Sequence, residues 1–120
     1  MAICDANRER AEKLAATFPA KVYTDLDAML KGPTVDVVNL LTPNHLDRTA
    51  VLACARAGKH VITEKPPAMS LAETDEMIEV RRKAGVLFAC SVQCRVRKAV
   101  QAVKRAREEG ASGASCRPTR

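Results

Sequence analysis

The residues with chemical potential fall into two short polar stretches, Thr42-Pro43-Asn44-His45 and Glu64-Lys65-Pro66-Pro67. Each follows an apolar run, Val37-Val38-Asn39-Leu40-Leu41 in one case and His60-Val61-Ile62-Thr63 in the other, so each is the polar end of a buried strand. In open parallel α/β sheets, ligands bind just beyond the carboxyl ends of strands, and these residues are where chemistry is expected. Lys65 is the first residue to suspect, although taken without its setting it is an ordinary surface lysine after a strand. His45 carries the side chain of an acid or base but stands where a helix starts. Cys90 and Cys94 are spaced like a metal pair, yet they lie in a strand-like segment with no second pair and no nearby histidine, so buried structural cysteines and no metal are expected.

The elements that must place these residues alternate regularly. Ala2-Ile3-Cys4 reads as a short strand ending at Asp5. A helix capped by Asn7 follows, with Ala11, Leu14, Ala15 and Phe18 at helical spacing before Pro19. Lys21-Val22-Tyr23 is a second strand, and Thr24 or Asp25 caps a brief helix through Leu26, Met29 and Leu30 that stops at Gly32-Pro33. Residues 35–41 form a central strand whose unbroken hydrophobicity suits a sheet covered on both faces. Residues 45–57 form a helix with Leu46, Ala50, Val51, Cys54 and Ala55 on one side, ended by Gly58. After the strand at residues 60–63, Ser70 caps a helix in a Ser-x-x-Glu box with Glu73, and Gly85 ends it. Residues 86–92 are a further strand, and residues 95–109 a last helix with Val96, Ala99, Val100 and Val103 on its apolar side. The order βαβαβαβαβα predicts a doubly wound parallel sheet with right-handed crossovers.

Composition sets the limits on function. With 120 residues, 47% hydrophobic and 28% charged, the chain is one small soluble domain or a piece of one. No apolar run approaches the roughly 20 residues that span a bilayer, and the start lacks the basic and apolar regions of a secretion signal. The odd, scattered cysteines, Cys4, Cys54, Cys90, Cys94 and Cys116, agree with reduced thiols and a cytoplasmic location. Residues 1–80 carry 9 basic and 12 acidic groups, whereas residues 81–120 carry 11 basic and 2 acidic. That basic end is the basis for a nucleic-acid binding reading. Against it, Arg81, Arg82 and Lys83 close a helix, Lys104, Arg105 and Arg107 read as a solvated face, and only Tyr23, Phe18 and Phe88 are aromatic.

Taken together, Asp36-Val37-Val38, Thr42-Pro43-Asn44-His45, Ala57-Gly58-Lys59-His60-Val61 and Glu64-Lys65-Pro66 resemble the Gfo/Idh/MocA family of NAD(P)-dependent oxidoreductases. The resemblance runs from Ile3-Cys4-Asp5 and Arg8-x-x-Ala11, through Thr24-Asp25-Leu26, to Gln93-x-Arg95 and Gly110-Ala111-Ser112-Gly113. It implies a Rossmann domain, a second α/β domain for a sugar, polyol or similar substrate, and hydride transfer between a nicotinamide and a secondary alcohol or ketone. Lys65 is then implied as the catalytic residue, its ammonium bonded to the reacting oxygen. Asp5 is implied on the adenosine ribose hydroxyls, favouring NAD over NADP, although it can equally serve the start of the helix near Asn7. Thr42, Pro43, Asn44 and His45 are implied along the cofactor, Glu64 either on the ribose or holding Lys65 in place, and Gln93 and Arg95 near the nicotinamide. Two positions depart from the family: Asp47 stands where a histidine is more usual, and Cys94 where asparagine is usual.

Larger departures lie at the ends. No Gly-x-Gly occurs anywhere, and Gly32, Gly58, Gly85, Gly110 and Gly113 all follow helices or close the tail, so the turn that cradles pyrophosphate is lacking. A truncated Rossmann domain over residues 1–92 is therefore expected, followed over residues 93–120 by a linking helix, the beginning of a second domain and a disordered tail. In the Rossmann order the lacking strand is the central one, which leaves two sheet edges open to another chain. A homo-oligomer is possible in the intact parent. A non-catalytic nucleotide-binding remnant and the basic nucleic-acid module are the alternatives to an oxidoreductase fragment that is inactive alone.

Overall fold

The computed structural model describes residues 1–32 and 35–111. Among these, strands and helices alternate as β1 (Ala2–Cys4), α1 (Arg8–Thr17), β2 (Lys21–Tyr23), α2 (Leu26–Leu30), β3 (Val37–Leu40), α3 (Asn44–Arg56), β4 (His60–Glu64), α4 (Leu71–Ala84), β5 (Phe88–Ser91) and α5 (Lys98–Glu108), with a 3₁₀ turn (Gln93–Val96) before α5. The expected order holds. Strands β3 and β5 are shorter than the apolar runs that announce them, because pairing ends before the hydrophobicity does.

All pairing is parallel, in two sheets. Strand β1 pairs with β2, Ile3 lying opposite Val22, and β3, β4 and β5 pair in that order. Leu40 lies opposite Thr63, and Thr63 in turn opposite Cys90. In a Rossmann sheet two strands lie to one side of the first strand and three to the other, so β2-β1 and β3-β4-β5 are the two flanks of such a sheet. Among the described residues no strand joins β1 to β3.

Local residue choices explain the element ends. Asn7 Oδ1 accepts from the Arg10 amide at 3.1 Å, and Asp25, not Thr24, caps α2 by accepting from the Asp27 amide at 2.8 Å. Ser70 Oγ accepts from the Glu73 amide at 3.2 Å, but the returning Glu73 carboxylate accepts from the amide of Met69, one residue before the cap, at 2.9 Å. Gly58 and Gly85 follow α3 and α4 in the left-handed region at φ 71° and 68°.

The core is centred on α3, which packs on β3, β4, α2 and α4. Val38, Leu40, Val51, Cys54, Val61 and Met77 are buried there. Along β3 and β4 burial alternates, and the other face of this sheet stays open, with Val37 51% and Ile62 39% exposed. The continuous apolar run is present, and the described residues supply a cover for one side of it.

A second correction concerns the last helix. Arg97 is extended at φ −67°, ψ 132° and separates the 3₁₀ turn from α5, so residues 95–109 are not one helix. The main contact of α5 is with that turn, and Val96 and Val103, expected on a buried side, are 77% and 71% exposed. The predicted loose tail lies, for residues 112–120, outside the described residues. Among the described residues no helix is long and apolar enough to cross a membrane.

Candidate functional site

Register brings the two polar stretches together. Because Leu40 faces Thr63 across adjacent parallel strands, Thr42 and Lys65, each two residues farther on, leave the sheet at the same level. Glu64 faces Ser91, which sets Gln93 at the next position along the rim. The carboxyl ends of β3, β4 and β5 therefore present Thr42, Glu64, Lys65 and Gln93 as neighbours, as parallel strands must do once their register is fixed.

The turn after β3 is held from beneath. Thr42 Oγ1 donates to Asp47 Oδ1 at 2.6 Å, and the Leu46 amide donates to the Pro43 carbonyl at 2.8 Å. Pro43 occupies the N-cap of α3, where it supplies no side-chain hydrogen bond. Asn44 and His45 begin the helix, Asn44 half-buried and His45 exposed. Asp47 is 1% exposed; its Oδ2 and the hydroxyl of Thr63, which is 0% exposed, are buried without a hydrogen-bond partner among the described residues.

After β4, Lys65 is exposed and joined to Pro66 by a cis peptide bond, and among the described residues it forms no ion pair. Its charge is thus available to a ligand. Glu64 is held by Gln93, whose Nε2 donates to Glu64 Oε1 at 3.0 Å. Arg95 is exposed in the 3₁₀ turn, where its amide donates to the Val92 carbonyl at 3.0 Å and its carbonyl accepts from Gln101 Nε2. An open groove of about 630 Å³ runs between Val92, Cys94, Arg95 and the α5 residues Val100, Gln101 and Lys104.

Asp5 lies in the other sheet, just beyond β1. Its Oδ1 accepts from the Asn7 amide at 2.8 Å, and its Oδ2 lies 3.4 Å from Arg10. The local structural role weighed for it is therefore present, and the carboxylate keeps lone pairs directed to solvent. His60 Nδ1 accepts from the Leu87 amide at 3.0 Å, which gives that histidine a place between strands.

The cysteines divide by position. Cys54 is buried in α3, and loss of water pushes its thiol up to about 11. Burial first, then the charges of Glu64 and Asp47, raise the Cys90 thiol. Cys4 is exposed at residue level, but partial burial of its thiol, together with Asp25 and Asp5, raises it too. Cys94 is exposed, which corrects the expectation of a buried residue there. Among the described residues no group of three or more metal-ligating side chains comes together.

The burial of Asp47 and Thr63 is what sequence reasoning did not foresee. A signal existed: Asp47 stands three, four and seven residues before Ala50, Val51 and Cys54, on the stripe that α3 buries.

A family model described as an oxidoreductase family with an NAD-binding Rossmann fold, GFO_IDH_MocA, matches residues 1–93. Myo-inositol 2-dehydrogenase of Thermotoga maritima is 36% identical over 109 residues, covering 91% of this chain and 32% of the relative. Levoglucosan dehydrogenase of Pseudarthrobacter phenanthrenivorans is 35% identical over 112 residues, covering 92% of this chain and 29% of the relative. Among solved structures, the WlbA dehydrogenase from Bordetella pertussis, in complex with NADH and UDP-GlcNAcA, superposes with a TM-score of 0.87 at 33% identity over 92% of this chain and 34% of its own. KijD10, a 3-ketoreductase from Actinomadura kijaniata in complex with TDP-benzene and NADP, gives a TM-score of 0.88 at 26% identity over 94% of this chain and 36% of its own. The chain spans about a third of the length of the relatives it matches.

Proposed function

The chain belongs to the Gfo/Idh/MocA oxidoreductase family, and from that premise we propose that it forms the nicotinamide-holding part of a dehydrogenase. The substrate of the whole protein is a sugar, polyol or similar hydroxyl-bearing molecule, and the dinucleotide is NAD, with NADP the alternative. What carries this reading is the rim formed by Thr42, Glu64, Lys65 and Gln93 at the ends of three parallel strands, in a chain so similar to nicotinamide-dependent enzymes.

The dinucleotide, when bound, supplies the hydride acceptor or donor. The residues fit part of such a group: Lys65 offers an exposed cation, without an ion pair among the described residues, beside a polar turn, and Asp5 offers carboxylate oxygens at the end of β1. Among the described residues they do not fit its pyrophosphate, because Gly58, Gly85 and Gly110 end helices and no described glycine opens one. Lys65, the catalytic residue, donates a hydrogen bond to the reacting oxygen and stabilises the negative charge that develops there, as a preorganised cation does at low cost in reorganisation. Glu64, fixed by Gln93, orients the start of the Lys65 turn. Thr42, Pro43, Asn44 and His45 line the cofactor, Arg95 lies at its nicotinamide end, and Asp5 accepts from ribose hydroxyls. Residues 1–92 make the partial dinucleotide domain, and residues 93–120 lead into the substrate domain. On the same reading the protein is cytoplasmic.

The test is titration of the purified chain with NADH, following fluorescence enhancement and energy transfer from Tyr23. Saturable binding is expected, weakened about tenfold by Asp5→Ala, as for loss of a charge-assisted hydrogen bond. A folded sample that gives no enhancement would overturn the proposal for this chain.

A further inference from the structure

A carboxylate in the buried stripe of α3 is out of place on hydrophobic grounds alone. The neighbouring stripe positions Ala50, Val51 and Cys54 are apolar and buried, and Asp47, at 1% exposure, lies as deep as they do. Burying a charged group carries a large desolvation cost unless hydrogen bonds offset it. Here one oxygen is satisfied by Thr42 at 2.6 Å, while Oδ2 has no partner among the described residues. The arrangement is therefore poor as a stabilising device, and its one made bond is directed at the polar turn after β3.

That turn has few other anchors. Pro43 has no amide hydrogen and makes no side-chain cap, and Thr42 and Leu41 already lie beyond the last paired residue, Leu40. The bond from Thr42 to Asp47 is five residues long in sequence and ties the turn to the first turn of α3, whose own position is fixed by packing on β3, β4 and α4. Besides it, the Leu46 amide donates to the Pro43 carbonyl at 2.8 Å, and Pro43 offers no side-chain cap to the start of α3.

We propose that Asp47 is a positioning residue that acts through Thr42: its buried carboxylate fixes the Thr42-Pro43-Asn44 turn in the conformation that receives the dinucleotide. The ligand part of this inference rests on the function proposed above; the local anchoring does not. Asp47 touches no reacting atom. Its effect reaches the ligand only through the Thr42 hydroxyl, so the two residues must behave as one unit.

The test uses the 120-residue chain and its Asp47→Ala, Thr42→Val, Thr42→Ser and Asp47→Ala/Thr42→Val variants, with two readouts. The first is the dissociation constant of NADH. Each of Asp47→Ala and Thr42→Val is expected to raise it about tenfold, the double variant no further than the worse single, and Thr42→Ser, which keeps the hydroxyl, to stay within about twofold. Additive losses in the double variant, or unchanged binding in both single variants, would overturn the proposal. The second readout is amide hydrogen exchange without ligand. Exchange of the Leu46 amide is expected to rise about tenfold in Asp47→Ala and Thr42→Val but not in Thr42→Ser, with the Val61 amide unchanged. If the parent chain binds no NADH, the proposed function falls and the exchange readout alone decides the anchoring. Uniform acceleration at Leu46 and Val61 alike, or none at Leu46, would overturn it.

Discussion

The two sheets of this protein are built by the same rule and packed very differently. The β3-β4-β5 half wraps α3 and α4 around a core in which Val51, Cys54, Val61 and Met77 are at most 1% exposed. The β1-β2 half buries Ala11 but leaves Leu14 49% and Phe18 51% exposed on α1. Both are parallel βα units, so secondary-structure propensity does not separate them. What differs is the number of layers: α3 has a sheet on one side and a helix on the other, whereas α1 has its principal contacts only with β1 and β2. Local pattern is enough to form an element, and a core needs a second layer against it. The same contrast governs the site, because the rim of the well-packed half has its register and its turn fixed, while the Asp5 carboxylate on the thin half meets only the start of its own helix among the described residues, its amide donating to the Tyr23 carbonyl at 3.1 Å.

Substitutions can break this contrast in order of size. Met77→Ala removes a side chain with no exposure from between α3 and α4, and should cost about 3 kcal/mol in urea-induced unfolding followed by circular dichroism. A loss as small as that of a surface change would mean that this half has no consolidated core. Raising the pH should weaken the same half through Cys54. Its thiol, at about 11 when folded, stands above the ordinary value of 9.0, so folding favours the neutral form. The stability this supplies is complete below the unfolded value and declines as pH rises from there through the folded value, by roughly 2 kcal/mol. Cys54→Ala should flatten that decline in unfolding curves collected across the range. Gly85→Ala forces a side chain into a left-handed position at the end of α4 and should cost about 1.5 kcal/mol in the same assay. Leu14→Ala, on the thin half, should cost less than about 1 kcal/mol. A loss equal to that of Met77→Ala would erase the distinction between the halves.

Much of this was legible because the signals are local. Asn7, Asp25, Ser70, Gly58 and Gly85 mark helix ends by the bonds or dihedral angles they permit, and those ends stand within a residue or two of where the sequence puts them. The division of the sheet also followed, since strand order in a doubly wound fold decides which place is left open. Exposure did not follow. Val37, Ile62, Val96 and Val103 have the pattern of buried residues, but burial depends on what packs against them, and that is not a property of their own segment. The break at Arg97 was missed because nothing in its sequence forbids a helix there. At the site, the polar strand ends were readable, whereas the roles of Asp47 and Thr63 required knowing which face of α3 meets the sheet.

The central claim is that the ends of β3, β4 and β5 form the nicotinamide side of a dinucleotide site. Amide chemical-shift mapping of the labelled chain during titration with NADH tests it most directly. The account predicts shifts concentrated at Thr42, Asn44, His45, Glu64, Lys65, Gln93 and Arg95, with a weaker response at Asp5. A folded chain whose shifts stay unchanged, or change only along the basic face of α5, would contradict it.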